Sequence, residues 1–164
     1  MQNAMAAIAV GKKLGLSPEE LRRGLDLFEN TGMRQKVIAC GGKTIINDSY
    51  NANPDSMRAA LQVLGDIKGR RIAVLADMLE LGEHAEDAHR ELGRLAKEKA
   101  DMILVTGSMA TCVAEGAQGA DVRIFDCADA LADTLRLIWR DGDTVLVKAS
   151  RGMRLERIVE KLCK

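Results

Sequence analysis

The sequence has few aromatic residues and no excess of charge of either sign, and both shortages limit what it can bind. Phe, Trp and Tyr make up 2% of the 164 residues, and Lys plus Arg equal Asp plus Glu at 24 each. Proteins that hold nucleic acid need a basic surface and, for single strands, rings on which bases stack. We therefore expect no nucleic-acid partner.

Long hydrophobic runs are also missing. The apolar stretch from Ala4 to Val10 is too short to cross a membrane, and Gly11-Lys12-Lys13 interrupts it. The sequence therefore predicts neither a signal peptide nor a membrane span. A hydrophobic fraction of 47% and a charged fraction of 29% are typical of an ordinary globular protein.

The cysteines and histidines show no metal-ligand spacing. His84 and His89 lie apart on a predicted helix, which makes a metal pair improbable. Four cysteines are widely separated in the sequence, at Cys40, Cys112, Cys127 and Cys163. The pattern predicts reduced thiols in a cytoplasmic protein, and no metal bound by these residues.

The chain begins with two short helical segments. Residues 3–14 have a packing face of small residues and end at Gly15. Ser17-Pro18-Glu19-Glu20 then combines an N-cap serine, a proline in the first helical position and a carboxylate in the third, which predicts a second helix to about Phe28. Two short helices bury little alone, so we expect residues 1–32 to be the end of a larger upstream domain.

From residue 33 onward, strands and helices alternate. Residues 37–40 and 43–46, joined by Gly41-Gly42, predict a β-hairpin. Later strands are predicted at 70–76, 102–106, 122–125 and 144–147, and helices at 55–64, 84–99, 110–118, 128–139 and 153–162. Strands without polar alternation are buried on both faces. Residues 33–164 therefore predict one α/β domain with a Rossmann-like, doubly wound, mostly parallel sheet and an antiparallel edge hairpin.

Gly42-Lys43-Thr44 matches the end of a phosphate-binding loop but does not qualify as one. That pattern needs a glycine five residues before its second glycine, and position 37 is valine. The tripeptide also lies inside the predicted hairpin and does not open a helix. We therefore expect no phosphate loop in these 164 residues.

The most polar stretch of the chain is Asn47-Asp48-Ser49-Tyr50-Asn51-Ala52-Asn53-Pro54, between a strand and a helix. Such residues are common turn formers, and taken alone they indicate a turn. Residues 48–57, however, resemble the start of the C-terminal domain of the Mur ligases, which build the peptidoglycan precursor. Residues 77–82 resemble the Gly-Asp-Met-x-Glu-Leu-Gly segment of that family, and residues 148–152 its Lys-Gly-Ser-Arg segment, with Ala76 and Ala149 in place of glycines.

The resemblance implies a nucleotide-binding set of residues. Gly32-Met33-Arg34 is similar to the link between the central and C-terminal domains of the family, where the arginine faces the phosphates. Asp48 would accept a hydrogen bond from the ribose, and Tyr50 and Asn51 would contact the base. Asn53 completes this set. A solvated hinge charge is an equally good interpretation of Arg34 from the sequence alone.

The resemblance implies a second set of residues for the amino substrate. Asp77 or Glu80 would lie near its amine. Lys148 and Arg151 would hold its carboxylate, or the diaminopimelate or lysine end of the other substrate, and Ser150 would add a hydroxyl contact. Capped turns at helix starts are the alternative for both loops. His89 is expected to pack and to form hydrogen bonds, without a catalytic role.

The implied activity is an ATP-dependent amide synthesis. ATP phosphorylates a carboxylate of UDP-N-acetylmuramoyl-tripeptide, and the amine of D-alanyl-D-alanine attacks the acyl phosphate. The resemblance implies ATP and Mg²⁺ as cofactors, bound mainly by a central domain outside this sequence, and makes residues 1–32 a stub of that domain. The missing N-terminal and central domains are then partners, and we expect the 164 residues alone to be inactive.

Two other classes of protein remain to be weighed. A phospho-accepting receiver domain also ends strands with residues such as Asp77, Thr106 and Lys148. It requires an acidic pair after the first strand, whereas this chain has Asn47-Asp48, and Asp77 follows one strand too early. Despite these two mismatches, a receiver-like or other nucleotide-binding regulatory domain is the alternative that we keep. A dinucleotide-binding oxidoreductase needs Gly-x-Gly-x-x-Gly after a strand, and no strand is followed by it.

Overall fold

The computed structural model describes residues 2–28 and 34–163 and divides the chain into two compact units, with the division between residues 30 and 31. The predicted domain boundary at residues 32 and 33, and the Gly32-Met33 part of the link, lie outside the described residues. The helices are α1 (Gln2–Lys13), α2 (Pro18–Asp26), α3 (Pro54–Gly65), α4 (Ala85–Lys99), α5 (Ala110–Gly116), α6 (Ala128–Ile138) and α7 (Glu156–Leu162). The strands are β1 (Lys36–Cys40), β2 (Lys43–Asp48), β3 (Arg71–Leu75), β4 (Met102–Thr106), β5 (Val122–Phe125) and β6 (Thr144–Lys148).

The smaller unit contains α1 and α2, and its predicted cap is present. Ser17 Oγ accepts a hydrogen bond from the Glu20 amide at 3.2 Å, and the Glu20 carboxylate accepts one from the Ser17 amide at 2.8 Å. Helix α2 ends at Asp26, two residues before the predicted end, because the Phe28 amide bonds to Leu25 in a tightened last turn. No residue of α2 is buried.

The larger unit is built on a six-stranded sheet in the order β1-β2-β6-β3-β4-β5. Strand β1 pairs antiparallel with β2, and the other pairs are parallel. Gly41 and Gly42 make the hairpin turn with φ of 55° and 84°, in the left-handed region that glycine adopts without a steric penalty. The predicted α/β class and edge hairpin are confirmed.

Helices cover both faces of this sheet, so its strands are buried on both sides. In β3, Ala73 and Leu75 pack in a cluster with α3, α4 and α5, whereas Ile72 and Val74 pack in a cluster with α6 and α7. Short 3-10 turns at Gly82–His84 and Arg151–Met153 precede α4 and α7, so these helices begin at Ala85 and Glu156 and not at the predicted residues 84 and 153. In the described ranges, no helix is long and apolar enough to cross a membrane.

The parallel register brings the carboxyl ends of three strands level with one another. Lys148 at the end of β6 lies opposite Asp48 of β2 and Leu75 of β3. Strand β2 therefore continues through Asn47 and Asp48, which were predicted to lie in a loop. The loops that follow these three strands begin side by side.

Two of the four cysteines are joined. Cys40 at the end of β1 and Cys163 after α7 form a disulfide with their Cα atoms 6.0 Å apart. The prediction that all four cysteines are reduced thiols is wrong for this pair, whereas Cys112 and Cys127 are free. The two partners are separated by 123 residues, so no local spacing in the sequence indicates the bond.

Candidate functional site

A cavity of about 330 Å³ opens at the carboxyl edge of the sheet. It is lined by Asn51, Ala52, Asn53, Leu79, Glu80, Leu81, Ser150, Arg151 and Gly152. These residues come from the loops after β2, β3 and β6. The loop predicted to hold a nucleotide and the loops predicted to hold an amino substrate therefore border one cavity, of a size typical for a small-molecule site.

The ten predicted site residues fall into two groups by exposure. Four are buried, with exposed fractions of 1% to 7%: Asp48, Asp77, Lys148 and Ser150. Six are partly or fully exposed: Arg34, Tyr50, Asn51, Asn53, Glu80 and Arg151. The second group is accessible from solvent, whereas the first group is enclosed within the protein.

Lys148 has the largest side chain of these four buried site residues. Its Nζ donates to Asp48 Oδ2 at 2.6 Å and to the Asn51 carbonyl at 3.1 Å. The other oxygen of Asp48 accepts from the Gln35 amide at 3.1 Å. These bonds attach the loop after β2 to the end of β6. In this arrangement the ammonium group neutralises an internal carboxylate, and Lys148 is not among the residues that line the cavity.

Ser150 joins all three loops. Its Oγ accepts a hydrogen bond from the Leu79 amide at 2.9 Å and donates one to the Ala52 carbonyl at 3.5 Å. The Ser150 amide itself donates to the Asp77 carbonyl at 3.1 Å. The serine hydroxyl therefore connects the loop after β6 to the loops after β2 and β3, which form the other walls of the cavity.

Asp77 holds the loop that follows β4. Its carboxylate accepts from the Ser108 amide at 2.9 Å, from Ser108 Oγ at 2.7 Å and from the Met109 amide at 3.0 Å. Gly107 adopts φ of 114° beside this carboxylate, and a Cβ at that position would collide with it. Asp77 is 5% exposed and its oxygens are used within the fold.

His89 anchors the acidic loop to α4. The ring is fully buried, its Nε2 lies 2.9 Å from the Met78 amide, and its Nδ1 lies 2.6 Å from the Ala85 carbonyl. The amide can only donate and the carbonyl can only accept, so the ring is the neutral Nδ1–H tautomer. The prediction of a packing and hydrogen-bonding role is confirmed.

Glu80 lies at the tip of that anchored loop. It is exposed, lines the cavity and has φ of 68°, which is unfavourable for a residue with a side chain. The preceding amides of Met78 and Leu79 are held by His89 and Ser150. These contacts support the strained conformation, and strain of this kind often accompanies a functional site.

Asn53 and Asn51 differ in what their side chains do. Asn53 caps α3, because its Oδ1 accepts from the Ser56 amide at 2.8 Å and its own amide donates to Ser56 Oγ at 3.1 Å. Asn51 uses its backbone carbonyl for Lys148 and leaves its side chain exposed at the cavity. The Asn51 amide group is therefore the more available of the two.

Two arginines flank the tyrosine of this region. The Cζ atom of Arg34 lies 4.4 Å from the ring centroid of Tyr50, and the Cζ atom of Arg151 lies 5.3 Å from it. Both distances are within the range of cation–π contacts. Of these two cations, Arg151 also lines the cavity, where Glu80 is the acidic residue. Across residues 2–28 and 34–163, no group of three or more His, Cys, Asp or Glu side chains is arranged to hold a metal ion.

Residues 33–151 match the family model described as Mur ligase, glutamate ligase domain. The chain belongs to the Mur ligase family. A curated relative from Bacillus subtilis (strain 168), UDP-N-acetylmuramoyl-tripeptide--D-alanyl-D-alanine ligase, is 40% identical over 170 residues and is matched by 99% of this chain. This Mur ligase chain spans 37% of the length of that relative.

Solved Mur ligase structures share the fold. MurF from Acinetobacter baumannii superimposes with a TM-score of 0.89 at 32% identity, over 99% of this chain and 37% of the other. MurF from Thermotoga maritima, solved in complex with ADP, superimposes with a TM-score of 0.82 at 29% identity, over 94% and 35%. The Mur ligase resemblance inferred from the three motifs is therefore confirmed, and the receiver-like alternative is not favoured because the Asp77 carboxylate is buried and fully bonded.

Several residues that shape this Mur ligase site were not among the ten predicted site residues. Leu79, Leu81 and Gly152 line the cavity, and Ser108 holds Asp77 in place. Leu79, Leu81 and Gly152 lie within the segments that resemble the family motifs, so membership of those segments was the one indication that they belong to the site. Nothing in the sequence indicates which side chains of a motif face the cavity, because that depends on how three distant loops meet.

Proposed function

We propose that residues 33–164 are the C-terminal domain of an ATP-dependent ligase that joins D-alanyl-D-alanine to UDP-N-acetylmuramoyl-tripeptide. Residues 1–32 are, in this proposal, the end of its ATP-binding central domain. The observation that carries it is the single cavity shared by the loops after β2, β3 and β6. The names of the relatives support the choice of substrates.

The exposed and buried groups have separate tasks in this proposal. Asn51 and Tyr50 lie on the nucleotide side, and Glu80 attracts the ammonium group of the dipeptide from the facing loop. Arg151 supplies positive charge to an anionic oxygen of the substrates. The four buried residues hold these loops in place, and the exposed residues of the loops contact the ligands. The four are Asp48, Asp77, Lys148 and Ser150.

The cavity residues suit a reaction in which charge builds on oxygen. When bound, ATP supplies the phosphoryl group that activates the tripeptide carboxylate. The guanidinium group of Arg151, which lines the cavity, stabilises negative oxygens there. The phosphate loop and the Mg²⁺ ligands come from parts of the ligase outside these 164 residues. The proposal places the enzyme in the cytoplasm, where ATP is available.

A nuclear magnetic resonance titration of the 164-residue chain with D-alanyl-D-alanine tests the proposal. We expect saturable shifts of the backbone amides of Asn51, Glu80 and Gly152, which line the cavity from its three loops. L-alanyl-L-alanine is the matched control and should shift them less at equal concentration. Shifts confined to the opposite edge of the sheet, or identical shifts with both dipeptides, would contradict the proposal.

An activity assay tests whether these 164 residues are only a part of the ligase. The chain incubated with ATP, Mg²⁺ and both substrates should form no amide, because the phosphate loop is expected elsewhere. Adding the separately produced remainder of the ligase should restore product. Amide formation by the chain alone would overturn the assignment of these residues to a partial enzyme.

A further inference from the structure

The disulfide between Cys40 and Cys163 joins the end of the last helix to one edge of the sheet. Cys40 is the last residue of β1, the outermost strand beside β2. Cys163 directly follows α7, and its amide donates to the Val159 carbonyl at 3.2 Å. The Cα atoms of the two cysteines are 6.0 Å apart. The bond therefore attaches the far end of α7 to the edge hairpin.

The two cysteines of this pair differ in exposure. Cys163 is exposed, whereas Cys40 is half-buried and packs against the apolar cluster that α6 and α7 form with the sheet. Exchange between thiols and disulfides requires access for the attacking thiolate. A small thiol or disulfide from solvent therefore reaches Cys163 first.

Helix α7 is short, so its position depends on tertiary contacts. It has seven residues, of which Ile158 and Val159 are buried, and Leu155 at its N-cap is buried as well. A helix of this length is marginal by itself and needs packing to persist. Beyond Val159, the contacts that hold it include the disulfide and an ion pair from Lys161 to Asp133, which is partly exposed and of a kind that contributes little. The far end of α7 is therefore the part that depends on the disulfide.

The turn before α7 forms part of the cavity wall. Arg151 and Gly152 belong both to this 3-10 turn and to the residues that line the cavity. Arg154 connects the turn to α7: its amide donates to the Arg151 carbonyl at 3.1 Å, and its carbonyl accepts from the Arg157 amide at 3.3 Å. Its φ of 51° is unfavourable for a residue with a side chain and persists only where the surrounding structure enforces it. Release of α7 would remove one of the restraints on Arg154.

We infer that Cys40 and Cys163 form a reversible redox switch that controls the cavity through α7. In the oxidised state, the bond holds α7 on the sheet, and α7 fixes the turn that carries Arg151 and Gly152. In the reduced state, the far end of α7 is released and the turn relaxes. Disulfides of cytoplasmic proteins are usually transient or redox-sensing. The inference rests on the proposed function only for the cytoplasmic compartment.

A low-molecular-weight disulfide is the oxidant of this switch. The Cys163 thiolate attacks one sulfur of that disulfide, forms a mixed disulfide and releases one small thiol. The Cys40 thiolate then attacks Sγ of Cys163, forms the internal bond and expels the second small thiol. Two protein thiols are thereby oxidised, one small disulfide is reduced, and the two protons pass to the released thiols. Two small thiols reverse the same steps.

A glutathione titration of the 164-residue chain tests whether the bond is reversible. Glutathione and glutathione disulfide are mixed in ratios that cover the range of cytoplasmic redox poise. Free thiols are then alkylated in denaturant and located by mass spectrometry. Cys40 and Cys163 should change state together and reversibly, with Cys112 and Cys127 alkylated at every ratio. A pair that stays oxidised, or stays reduced, at every ratio overturns the switch.

Nuclear magnetic resonance measures the structural consequence. On reduction, hydrogen exchange of the Ile158 and Cys163 amides should accelerate by at least about tenfold, because α7 opens more easily. The Gly152 amide resonance should move, while those of Ala60 and Leu61 in α3 should stay in place. Loss of dispersion across the whole spectrum would show that the bond is needed for the fold and overturn the switch. Faster exchange in α7 with an unmoved Gly152 resonance would refute the connection to the cavity.

Three variants identify the residues responsible. C163S should resemble the reduced wild type at every glutathione ratio. C127S is the matched control, since it removes an exposed free thiol, and it should switch as the wild type does. R154G adopts a positive φ without a steric penalty, so reduction should move the Gly152 resonance less in this variant than in the wild type. An equal movement would show that Arg154 does not connect α7 to the cavity.

The switch and the proposed function can fail separately. Coupled, reversible oxidation that moves the Gly152 resonance supports the switch even if the dipeptide titration fails. Dipeptide shifts at the cavity in a chain whose Cys40 and Cys163 do not respond to glutathione leave the ligase proposal standing and refute the switch.

Discussion

Lys148 Nζ lies 2.6 Å from Asp48 Oδ2, in an ion pair whose side chains are 2% and 11% exposed. The pair connects the last residues of two neighbouring parallel strands, β6 and β2. A buried charge without its partner is expensive, whereas a complete pair roughly balances its own desolvation. The carboxyl edge of the sheet therefore depends on both residues being present.

Replacing Lys148 by methionine should lower the free energy of unfolding by about 3–5 kcal/mol, because it leaves the Asp48 carboxylate buried and unpaired. Urea denaturation measures the loss. Lys161→Met is the matched control: its partner Asp133 is also 2.6 Å away, but the side chains are 35% and 64% exposed, so the loss should stay below about 1 kcal/mol. Adding Asp48→Asn to Lys148→Met should recover part of the stability, and equal losses from both lysine variants would contradict the prediction.

His89→Ala should release the acidic loop. The Met78 amide would lose its buried acceptor at a cost of about 1–3 kcal/mol. Hydrogen exchange of the Met78 amide should accelerate, together with that of Leu79. His84→Ala is the control, since His84 is the other histidine of the sequence and is exposed. Unchanged exchange at Met78 in His89→Ala would show that the ring does not hold this loop.

Removing the disulfide should destabilise the larger unit. The bond between Cys40 and Cys163 closes a loop across a sequence separation of 123 residues. Restricting the unfolded chain in this way should raise the free energy of unfolding by about 4–5 kcal/mol. Cys163→Ser and reduced wild-type protein should melt at the same lowered temperature in a thermal scan. Cys127→Ser, which removes an exposed free thiol, should melt like the oxidised wild type. Titration of four free thiols in the oxidised native protein would disprove the pairing.

Stability in acid should depend on Asp101. Hydrogen bonds from Arg71 lower the pKa of Asp101 below its ordinary value of 3.8. Because protonation is harder in the folded state, this stabilisation is present above pH 3.8 and is lost as the pH falls through the lowered folded value. Asp101→Asn should flatten the fall in unfolding free energy below pH 3.8, by less than about 1 kcal/mol since the pair is partly exposed.

The control for the acid prediction is Asp121→Asn. Asp121 is 44% exposed and Asp101 41%, but Asp121 has only longer contacts, 3.2 Å and 3.4 Å, with Arg123. Asp101 accepts from the Arg71 side chain at 2.7 Å and 3.0 Å and from its backbone amide at 2.8 Å. If both variants change the pH dependence of the unfolding free energy equally, the hydrogen bonds from Arg71 are not the cause of the acid effect.

Local sequence patterns predicted the elements of the fold well. The caps at Ser17 and the hairpin at Gly41-Gly42 depend on residues within a few positions of one another, and both are present. The predicted starts of α4 and α7, residues 84 and 153, each fall on the last residue of a 3-10 turn, so both helices begin later than predicted. Between the second 3-10 turn and α7, Arg154 has φ of 51° and interrupts the helical backbone. An arginine rarely adopts this conformation, so the residue type does not predict it.

The candidate site was predictable as a set of loops but not as a set of contacts. The motifs around Asp48, Asp77 and Lys148 were correctly placed at one edge, because parallel strands present their carboxyl ends together. Which residues face the cavity was not predictable. Lys148 and Asp77 resembled ligand-binding groups in the sequence, yet both are buried and bonded within the fold.

The sequence by itself determined the order and type of the elements and the family, since propensity, capping and motif spacing act over short distances along the chain. Only the tertiary structure decided that Arg34 and Arg151 share the ring of Tyr50 and that Cys40 meets Cys163. Those contacts join residues far apart in sequence. They depend on strand register and on the packing of helices over the sheet, which no short stretch of residues specifies.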